Sequence, residues 1–558
     1  MQIAVEPVPS EYGFNPDRYP AWRPGQREVI QQILDWYTDP KGPKVLMLEA
    51  PTGVGKSVIA LAALQALHQD DLLSHGIVST ATINLQRQYQ ETIPAPVLAS
   101  AWGRGNYDCL IMPSVSAADG PCTHGLKCAQ KASCTYYAER DEAHQNTLSV
   151  LNTAYYMTCI NYALTPRDLH GGDDGSRPYL FDNADLAIHD EAHLLEKAVQ
   201  NLVEASLNAS FFDRIGAPLP DTLNHGAWHE FIDQHIPLVT QFASAYSSQA
   251  KRLAPEGKLP DDPVGKRAVS QLREMKRVYE ELLPSKPLVE RTQYGFTFRA
   301  VWGKDFAPHY LWRHADKHLL MSATIIHPKF LAESLGLQPD EWAYIEMPSP
   351  FAPMRRRIIY NPVVKVTAKT TDQQFQLVID AMDEAIEARH LEHKGIVHAV
   401  SYARTQQILK HSKHRDRMIS HGKGRGEKEH AIDQFLNAPA GAILVSPSVG
   451  VGEDFGRGEN CRLQIFPKYP IPNLGDPVVK ARAEDSRDAM WFEADMAFVQ
   501  AVGRGMRSAD DHCTSYVFDA GAAWRFGQLP QSIKDAIVDQ RPVKQPVSTP
   551  TGYAFRAV

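Results

Sequence analysis

Residues 50–57 read Ala-Pro-Thr-Gly-Val-Gly-Lys-Ser, a spacing suited to holding phosphate. Around Thr52 and Val54, Gly53 and Gly55 let the backbone curl so that its N–H groups point at phosphate oxygens. Lys56 adds a positive charge for the β- and γ-phosphates and Ser57 a hydroxyl for Mg2+, while a helix starting there offers its positive N-terminus. The preceding run KVLMLE has the make-up of a buried strand and the following VIALAALQAL that of a helix. Strand, glycine loop and helix in this order predict a nucleoside triphosphate site with Mg2+. Ala50 stands where such loops usually open with glycine.

Hydrolysis needs an acidic partner, and Asp190-Glu191-Ala192-His193 follows the apolar LAIH run. Asp190 would hold Mg2+ through water, and Glu191 would orient and deprotonate the attacking water. An acidic pair after a strand is common by chance; this tetrad downstream of a phosphate loop is not. Ser322-Ala323-Thr324 follows another apolar strand and, alone, would read as a surface turn. Far downstream, QAVGRGMR supplies Gln500, Arg504 and Arg507. Arginines at i and i+3 share a helix face, so both are expected to reach into a cleft and stabilise charge on a transferring phosphoryl group. A solvated basic helix face is the alternative.

Cys109, Cys122, Cys128 and Cys134 have twelve, five and five residues between them. Four thiolates hold either a [4Fe–4S] cluster or a tetrahedral zinc. The absence of a close Cys-x2–4-Cys pair favours the cluster, but spacing alone leaves both open. The surrounding stretch has little apolar periodicity, so metal binding is expected to contribute folding energy and to stiffen it into a wedge. Such clustering in a long chain points to metal rather than disulfides, and to a reducing, cytoplasmic setting. Cys159, Cys461 and Cys513 read as ordinary buried thiols.

The elements that must position these residues form two βα series. Strands are expected at 44–49, 76–80, 186–189 and 319–322, and again at 395–400, 442–446, 463–466 and 516–519. The fold class is therefore α/β with two parallel-sheet domains. Two stretches interrupt the first: 101–145 with the cysteines, and 200–310, which looks helical. There Val269, Leu272, Met275, Tyr279 and Leu282 mark one helix face, with Pro255, Pro260, Pro263 and Gly265 in a loop ahead of it.

The chain has 558 residues, of which 43% are hydrophobic and 22% charged, an ordinary globular balance. Its net charge of -7 argues against non-specific coating of nucleic acid and confines any such contact to a groove. Candidates for that groove are Thr82, Asn84, Gln86, Arg87, Lys127, Lys131, Tyr136, Tyr137 and Arg140. The basic run at 410–428 reads as a solvated loop. No secretory signal and no membrane span are expected.

The order APTGVGKS, DEAH, SAT, VGEDF (451–455) and QAVGRGMR resembles superfamily 2 helicases of the XPD/DinG family. Trp22-Arg23-Pro24-Gly25-Gln26 is similar to that family's adenine-reading Q motif, and GRGNYDC (103–109) to the sequence that introduces its iron–sulfur domain. Ser349-Pro350-Phe351, Ser401-Tyr402, residues 466–472 and Asp476-Pro477 match its second motor domain.

The resemblance implies two RecA-like motor domains, the first (1–100, 146–199, 311–348) carrying an iron–sulfur insert at 101–145 and a helical arch at 200–310, the second at 349–558. It further implies an ATP-dependent, 5′-to-3′ DNA helicase with ATP, Mg2+ and a [4Fe–4S] cluster held by the four cysteines. In it Arg23 and Gln26 would bind the base and Asp454 would lie near the ribose or γ-phosphate. Single-stranded DNA, forked or tailed duplex and RNA–DNA hybrid would be the partners of a monomer in a bacterial or phage-type host. An ATP-driven translocase that strips bound proteins is the alternative. An ATP-gated clamp would predict a damaged catalytic set, whereas Lys56, Asp190, Glu191, Arg504 and Arg507 are all present. Glu453 departs from the family's apolar residue, the arch is short, and no room precedes Gln26 for the exonuclease domain of some relatives.

Overall fold

Five consecutive buried residues, VLMLE, need apolar cover on both faces, and a parallel sheet flanked by helices provides it. The computed structural model describes residues 3–51, 53–124, 128, 130–161, 180–253, 258, 260–424, 426–447, 455, 458–506 and 511–540. It divides into two compact units, Met1–Pro350 with Pro472–Met496, and Phe351–Ile471 with Ala497–Val558. The stretch 472–496, placed by sequence in the second motor domain, thus groups with the first unit.

In chain order the first unit holds strands β1 (Val45–Glu49), β2 (Gly76–Thr80), β3 (Ala99–Ala101), β4 (Leu148–Asn152), β5 (Ala184–Asp190), β6 (Ala205–Asn208), β7 (Leu288–Thr292), β8 (Gly295–Arg299), β9 (Ala315–Ser322) and β10 (Trp342–Glu346). Seven of them form one sheet in the order β10-β1-β9-β5-β2-β4-β3, with every pairing parallel. Its register fixes the site: Glu49 lies opposite Ser322, and Asp190 opposite Met321. The phosphate loop, the DEAH tetrad and the SAT triplet therefore leave the sheet at one carboxyl edge, where open parallel sheets bind ligands.

The remaining three strands make an antiparallel sheet, β6-β8-β7, inside the stretch that reads as helical. It packs with the helices His225–Leu253 and Pro263–Arg277, the latter running on as a π-helical turn, Val278–Leu282. Pro263 and Gly265, expected in a loop, instead begin the second helix. Asp262 caps it by accepting from Gly265 N at 2.9 Å, and proline suits a first turn because its missing N–H has no partner there. Trp228 is the centre of this core, its ring 4.8 Å from Phe296, 5.0 Å from Phe298 and 5.9 Å from Phe231.

The second unit contains β11 (Ile358–Val364), β12 (Gly395–His398), β13 (Met418–Ser420), β14 (Ile443–Ser446), β15 (Leu463–Phe466), β16 (Thr514–Asp519) and β17 (Ile537–Asp539). They form a second all-parallel sheet in the order β13-β14-β12-β15-β16-β11-β17. Helix Asp372–Arg389 buries Val378, Ile379, Met382 and Ile386 in the core of this unit and starts with a Thr371–Gln374 capping box. All eight strands expected from the sequence are present.

Because Trp228 is fully buried among aromatic rings, Trp228→Ala should cost about 3–5 kcal/mol. Urea unfolding followed by tryptophan fluorescence and circular dichroism checks the loss.

Candidate active site

The phosphate loop is shaped by its glycines. Gly53 and Gly55 have φ of 83° and 84°, the left-handed region that side chains disfavour. A Cβ on Gly55 would stand 2.6 Å from Gln26 Nε2, so close approach excludes one as well. Helix Lys56–Gln69 starts directly after this turn and buries every residue from Val58 to Leu67. Arg23 and Gln26 brace the loop from outside. Arg23 Nη1 donates to Gly53 O at 2.5 Å, Gln26 Nε2 donates to Val54 O at 2.7 Å, and Gln26 Oε1 accepts from Arg23 N at 2.8 Å.

At the end of β5, Glu191 has φ of 57°, a left-handed conformation unusual for a non-glycine residue. Its carboxylate lies 3.8 Å from Lys56 Nζ and 3.3 Å from His193 Nδ1. Asp190 is buried and accepts from Tyr89 OH and from Glu191 N, both at 2.9 Å. Burial raises its carboxyl group above the usual range and Glu191 raises it further, while Lys56 and the two hydrogen bonds pull it down. A buried carboxylate with a second one beside it suits a divalent cation, so Asp190 and neighbouring Ser57 fit the Mg2+ role on chemical grounds. Burial holds His193 neutral, its pKa lowered to about 3, and its Nδ1 is 2.8 Å from Ser322 Oγ, which accepts from Thr324 N at 3.0 Å. The tetrad and the triplet are thereby joined. Glu49 Oε2 accepts from Ile326 N and from Tyr344 OH, each at 2.9 Å, tying the loop after SAT to the strand before the phosphate loop.

Tyr89 and Glu49 were not singled out from sequence. Tyr89 stands on the helix Ile83–Thr92, on the face turned to the sheet, and only the fold shows that Asp190 lies beneath it. Gln86, a candidate for strand contact, is wholly buried, and its amide donates to Ser100 Oγ, Ala101 O and Val150 O. Thr82 caps the same helix. Tyr136 and Tyr137 are buried too, with their faces covered by Arg104, Arg140 and Lys131 at 4.7–6.0 Å. These rings are taken up by cation–π contacts within the segment rather than offered to bases.

Helix Arg487–Gly503, which begins in the first unit and ends in the second, carries Gln500 and ends before Arg504. Arg504 sits in the following turn, where its N donates to Ala501 O at 3.1 Å and its guanidinium lies 5.6 Å from the Phe455 ring. Arg504 thus stands beyond the end of that helix. Gly503 and Gly505 lower helix propensity there, and a Cβ on Gly505 would meet Cys513 Cβ at 2.4 Å and Cys461 O at 2.6 Å. Thr52, Asp454 and Arg507 lie outside the described residues.

The cysteine segment has more core than its composition suggests. Tyr107, Ala117, Cys134, Tyr136 and Tyr137 belong to the same apolar cluster as β1 and β5. Cys109 and Cys134 are buried, Cys122 and Cys128 partly so. Burial pushes the Cys128 thiol up, and Cys122, Cys134 and Cys109 push it further. Arg104 Nη1 lies 3.9 Å from Cys122 Sγ, and Gly120 packs so closely that a Cβ would stand 3.0 Å from Cys109 Sγ. Among the described residues, no group of three or more His, Cys, Asp or Glu side chains is arranged to hold a metal ion. The chemistry of the donor set, four thiols with an arginine N–H beside one sulfur, nevertheless fits an iron–sulfur group.

A cavity of about 1400 Å3 opens against the catalytic edge of the first unit. Asp190 and Glu191 form part of its wall, and Arg104, Lys197, Arg267 and Arg273 bring positive charge to the rest. No helix among the described residues is long and apolar enough to cross a membrane.

Two all-parallel sheets, one carrying a phosphate loop and an acidic pair, define a two-sheet nucleotide-hydrolase architecture. A family model described as "Helicase C-terminal domain" matches residues 386–535, and one described as "Type III restriction enzyme, res subunit" matches residues 20–213. ATP-dependent DNA helicase YoaA of Escherichia coli (strain K12) is 30% identical over 105 residues, a match spanning 17% of this chain and only 16% of that protein. The solved structure named XPD_Helicase superposes with a TM-score of 0.60 over 93% of this chain and 99% of that one, at 14% identity. S. tokodaii Xpd4 gives 0.55 over 93% and 100%, at 13% identity. These structural likenesses show the fold of two RecA-like domains. The sequence matches add that the chain is similar to DNA helicases over part of its length.

Gly55→Ala should weaken nucleotide binding at least about ten-fold, since the left-handed turn disfavours a side chain by about 1–2 kcal/mol and Gln26 must also move. Titration with a fluorescent ATP analogue measures it; unchanged affinity would remove Gly55 from the site.

Proposed function

We propose that this chain is an ATP-dependent DNA helicase that travels 5′ to 3′ along a single strand and opens duplex or RNA–DNA hybrid ahead of it. The observation that carries the reading is the shared wall between Asp190 and Glu191 and a cavity edged by arginines and lysine. A cationic channel next to a hydrolysis site gives phosphate cleavage a direct mechanical route to a bound strand.

Hydrolysis follows from the residues at the sheet edge. Lys56 takes the charge of the β- and γ-phosphates and, in doing so, gives up its 3.8 Å pairing with Glu191. Glu191 is then available to align water and accept its proton while oxygen attacks the γ-phosphorus and the bond to the β-phosphate oxygen breaks. Ser57 and Asp190 would hold Mg2+, which would supply neutralisation of phosphate charge. Gln500, Arg504 and Arg507 are assigned to the catalytic set, with Arg504 and Arg507 stabilising charge on the transferring group. Thr52, Gly53, Val54 and Gly55 cradle the phosphates, Arg23 and Gln26 face the adenine end, and Asp454 the ribose or γ-phosphate.

Cys109, Cys122, Cys128 and Cys134 are assigned to a [4Fe–4S] cluster whose stiffened loop acts as the wedge where strands part. Single-stranded DNA with a fork or tail is the substrate class, and the protein acts as a monomer in the cytoplasm.

Lys56→Ala should abolish ATP turnover, because the γ-phosphate loses its main counter-charge; retained turnover would refute the site. Duplexes with 5′ single-stranded tails should open and 3′-tailed ones stay closed in a gel-based strand-separation assay. Cys122→Ser should lose iron by elemental determination, together with unwinding, but keep strand-stimulated ATP hydrolysis. Full unwinding by iron-free protein would dismiss the wedge, and stoichiometric zinc in the wild type would replace the cluster.

A further inference from the structure

The stretch Pro472–Met496 interrupts the second unit in sequence, between β15 and β16, yet groups with the first. Arg482, on the helix Pro477–Asp485, is the centre of its attachment. Its guanidinium makes a two-pronged ion pair with Glu196, Nη1 to Oε1 at 2.7 Å and Nη2 to Oε2 at 3.0 Å. Nε lies 3.3 Å from Glu493 Oε1, and the guanidinium plane covers the Trp302 ring at 4.4 Å. Trp302 in turn donates from Nε1 to Asp485 Oδ2 at 2.9 Å, and Glu196 Oε1 also accepts from Gly303 N at 3.2 Å. Glu196 and Arg482 are both buried.

A second attachment lies one helix further on. His327 Nε2 is 3.3 Å from Asp495 Oδ2, and the Phe330 and Phe492 rings lie 4.6 Å apart. Asp495 and Phe492 belong to helix Arg487–Gly503, whose last turn carries Gln500 and which runs directly into Arg504. The positions of the partners in sequence are informative. Glu196 is in the first turn of the helix that follows Asp190-Glu191-Ala192-His193. His327 lies just after Ser322-Ala323-Thr324, on the loop that Glu49 ties to the start of the phosphate loop.

Buried ion pairs are poor stabilising devices, because the cost of taking both charges out of water offsets their attraction. What an arginine fork on a carboxylate provides is orientation: two parallel hydrogen bonds fix a plane and a direction. We propose that Glu196–Arg482 and His327–Asp495 are positioning pairs that convey the state of the catalytic edge to helix Arg487–Gly503, and so to Gln500 and Arg504. This deepens the motor reading and rests on it. None of the four residues touches nucleotide in this assignment.

The test uses the full-length protein with a mixed-sequence single-stranded DNA oligonucleotide, measuring ATP hydrolysis with and without strand, KM for ATP, and thermal unfolding. Arg482→Lys keeps the charge and removes the fork. It should lower strand-stimulated kcat about ten-fold, as small misplacements of catalytic groups do, while leaving KM for ATP within about two-fold. The triple variant Glu196→Met, Arg482→Met and Glu493→Gln, which replaces the pair by side chains of similar volume and neutralises the second carboxylate beside Arg482, should do the same with an unchanged melting temperature. His327→Phe, which spares the ion pair, should move kcat in the same direction and serves if either of the others fails to fold. Strand-stimulated kcat within about two-fold of wild type in every folded variant, or a loss matched by weaker ATP binding or lower melting temperature, overturns the proposal. Wild-type protein that shows no strand stimulation would instead sink the motor reading itself.

Discussion

Two carboxylates stand side by side at the buried end of β5, and much of the first unit is arranged around that charge. Burial, and the Glu191 charge after it, raise the Asp190 carboxyl group above its ordinary value. The fold counters with Lys56 within reach of Glu191, with Tyr89 and a backbone N–H donating to Asp190, and with a left-handed turn at Glu191, whose carboxylate lies near Lys56 and His193. The histidines beneath add no competing positive charge. Burial lowers His189 to about 3 and His318 well below its ordinary value, so both stay neutral. They complete a hydrogen-bonded row from Ser79 Oγ through His189 and His318 to Trp312 O, with spacings of 2.8, 3.1 and 3.3 Å across β2, β5 and β9. The charge that remains at this sheet edge is therefore that of the acidic pair and of Lys56 beside it.

Strained backbone gathers at these same sheet edges. Ile326 has φ of 60° and Glu191 57°, and in the second unit Val400, just past the end of β12, has 65°. For β-branched residues such angles are outliers that cost on the order of 1–3 kcal/mol each and persist only when surrounding bonds hold them. Glu49 holds Ile326 through its backbone N–H, and Glu49 itself sits one residue before the phosphate loop. A shift in that loop therefore acts on a segment already displaced from its resting conformation, which favours movement between discrete positions over gradual give.

The readable part of this molecule was the part in which chemistry and local structure coincide. Gly53, Gly55 and Lys56 announce their role because a phosphate cradle tolerates few alternatives, and the strands feeding the edge are short runs with apolar centres that the fold buries almost throughout. Edge strands escaped notice: β3 is Ala-Ser-Ala, three residues with no apolar run. The insert's sheet was hidden because β7 and β8 are half exposed, without the contiguous burial that marks the central strands. Arg504 looked helical from its spacing to Arg507, but close packing of Gly505 on Cys513 ends the helix at Gly503. Gln86 and Tyr136 have side-chain types common in strand-binding grooves, and tertiary packing turned both inward. Most telling is 472–496: membership of a unit is decided by Arg482 meeting a carboxylate 286 positions away, and no local pattern encodes that meeting.

The cysteine segment shows the same influence of context on energetics. Considered alone it lacks a core, and metal would have to fold it. In place, helix Thr135–Gln145 packs against β3 and β4, and Tyr136 joins the main apolar cluster of the unit. Arg104 lies between the two sides, stacked on Tyr136 at 4.9 Å, 3.9 Å from the Cys122 sulfur, and exposed on its other flank to the cavity beside Glu191. The helix would thus be held by packing whether or not metal is bound, leaving the loop that carries Cys109, Cys122 and Cys128 as the part a cluster would stiffen. On that division of labour, metal loss should blunt the wedge without dismantling the sheet edge where phosphate is cleaved.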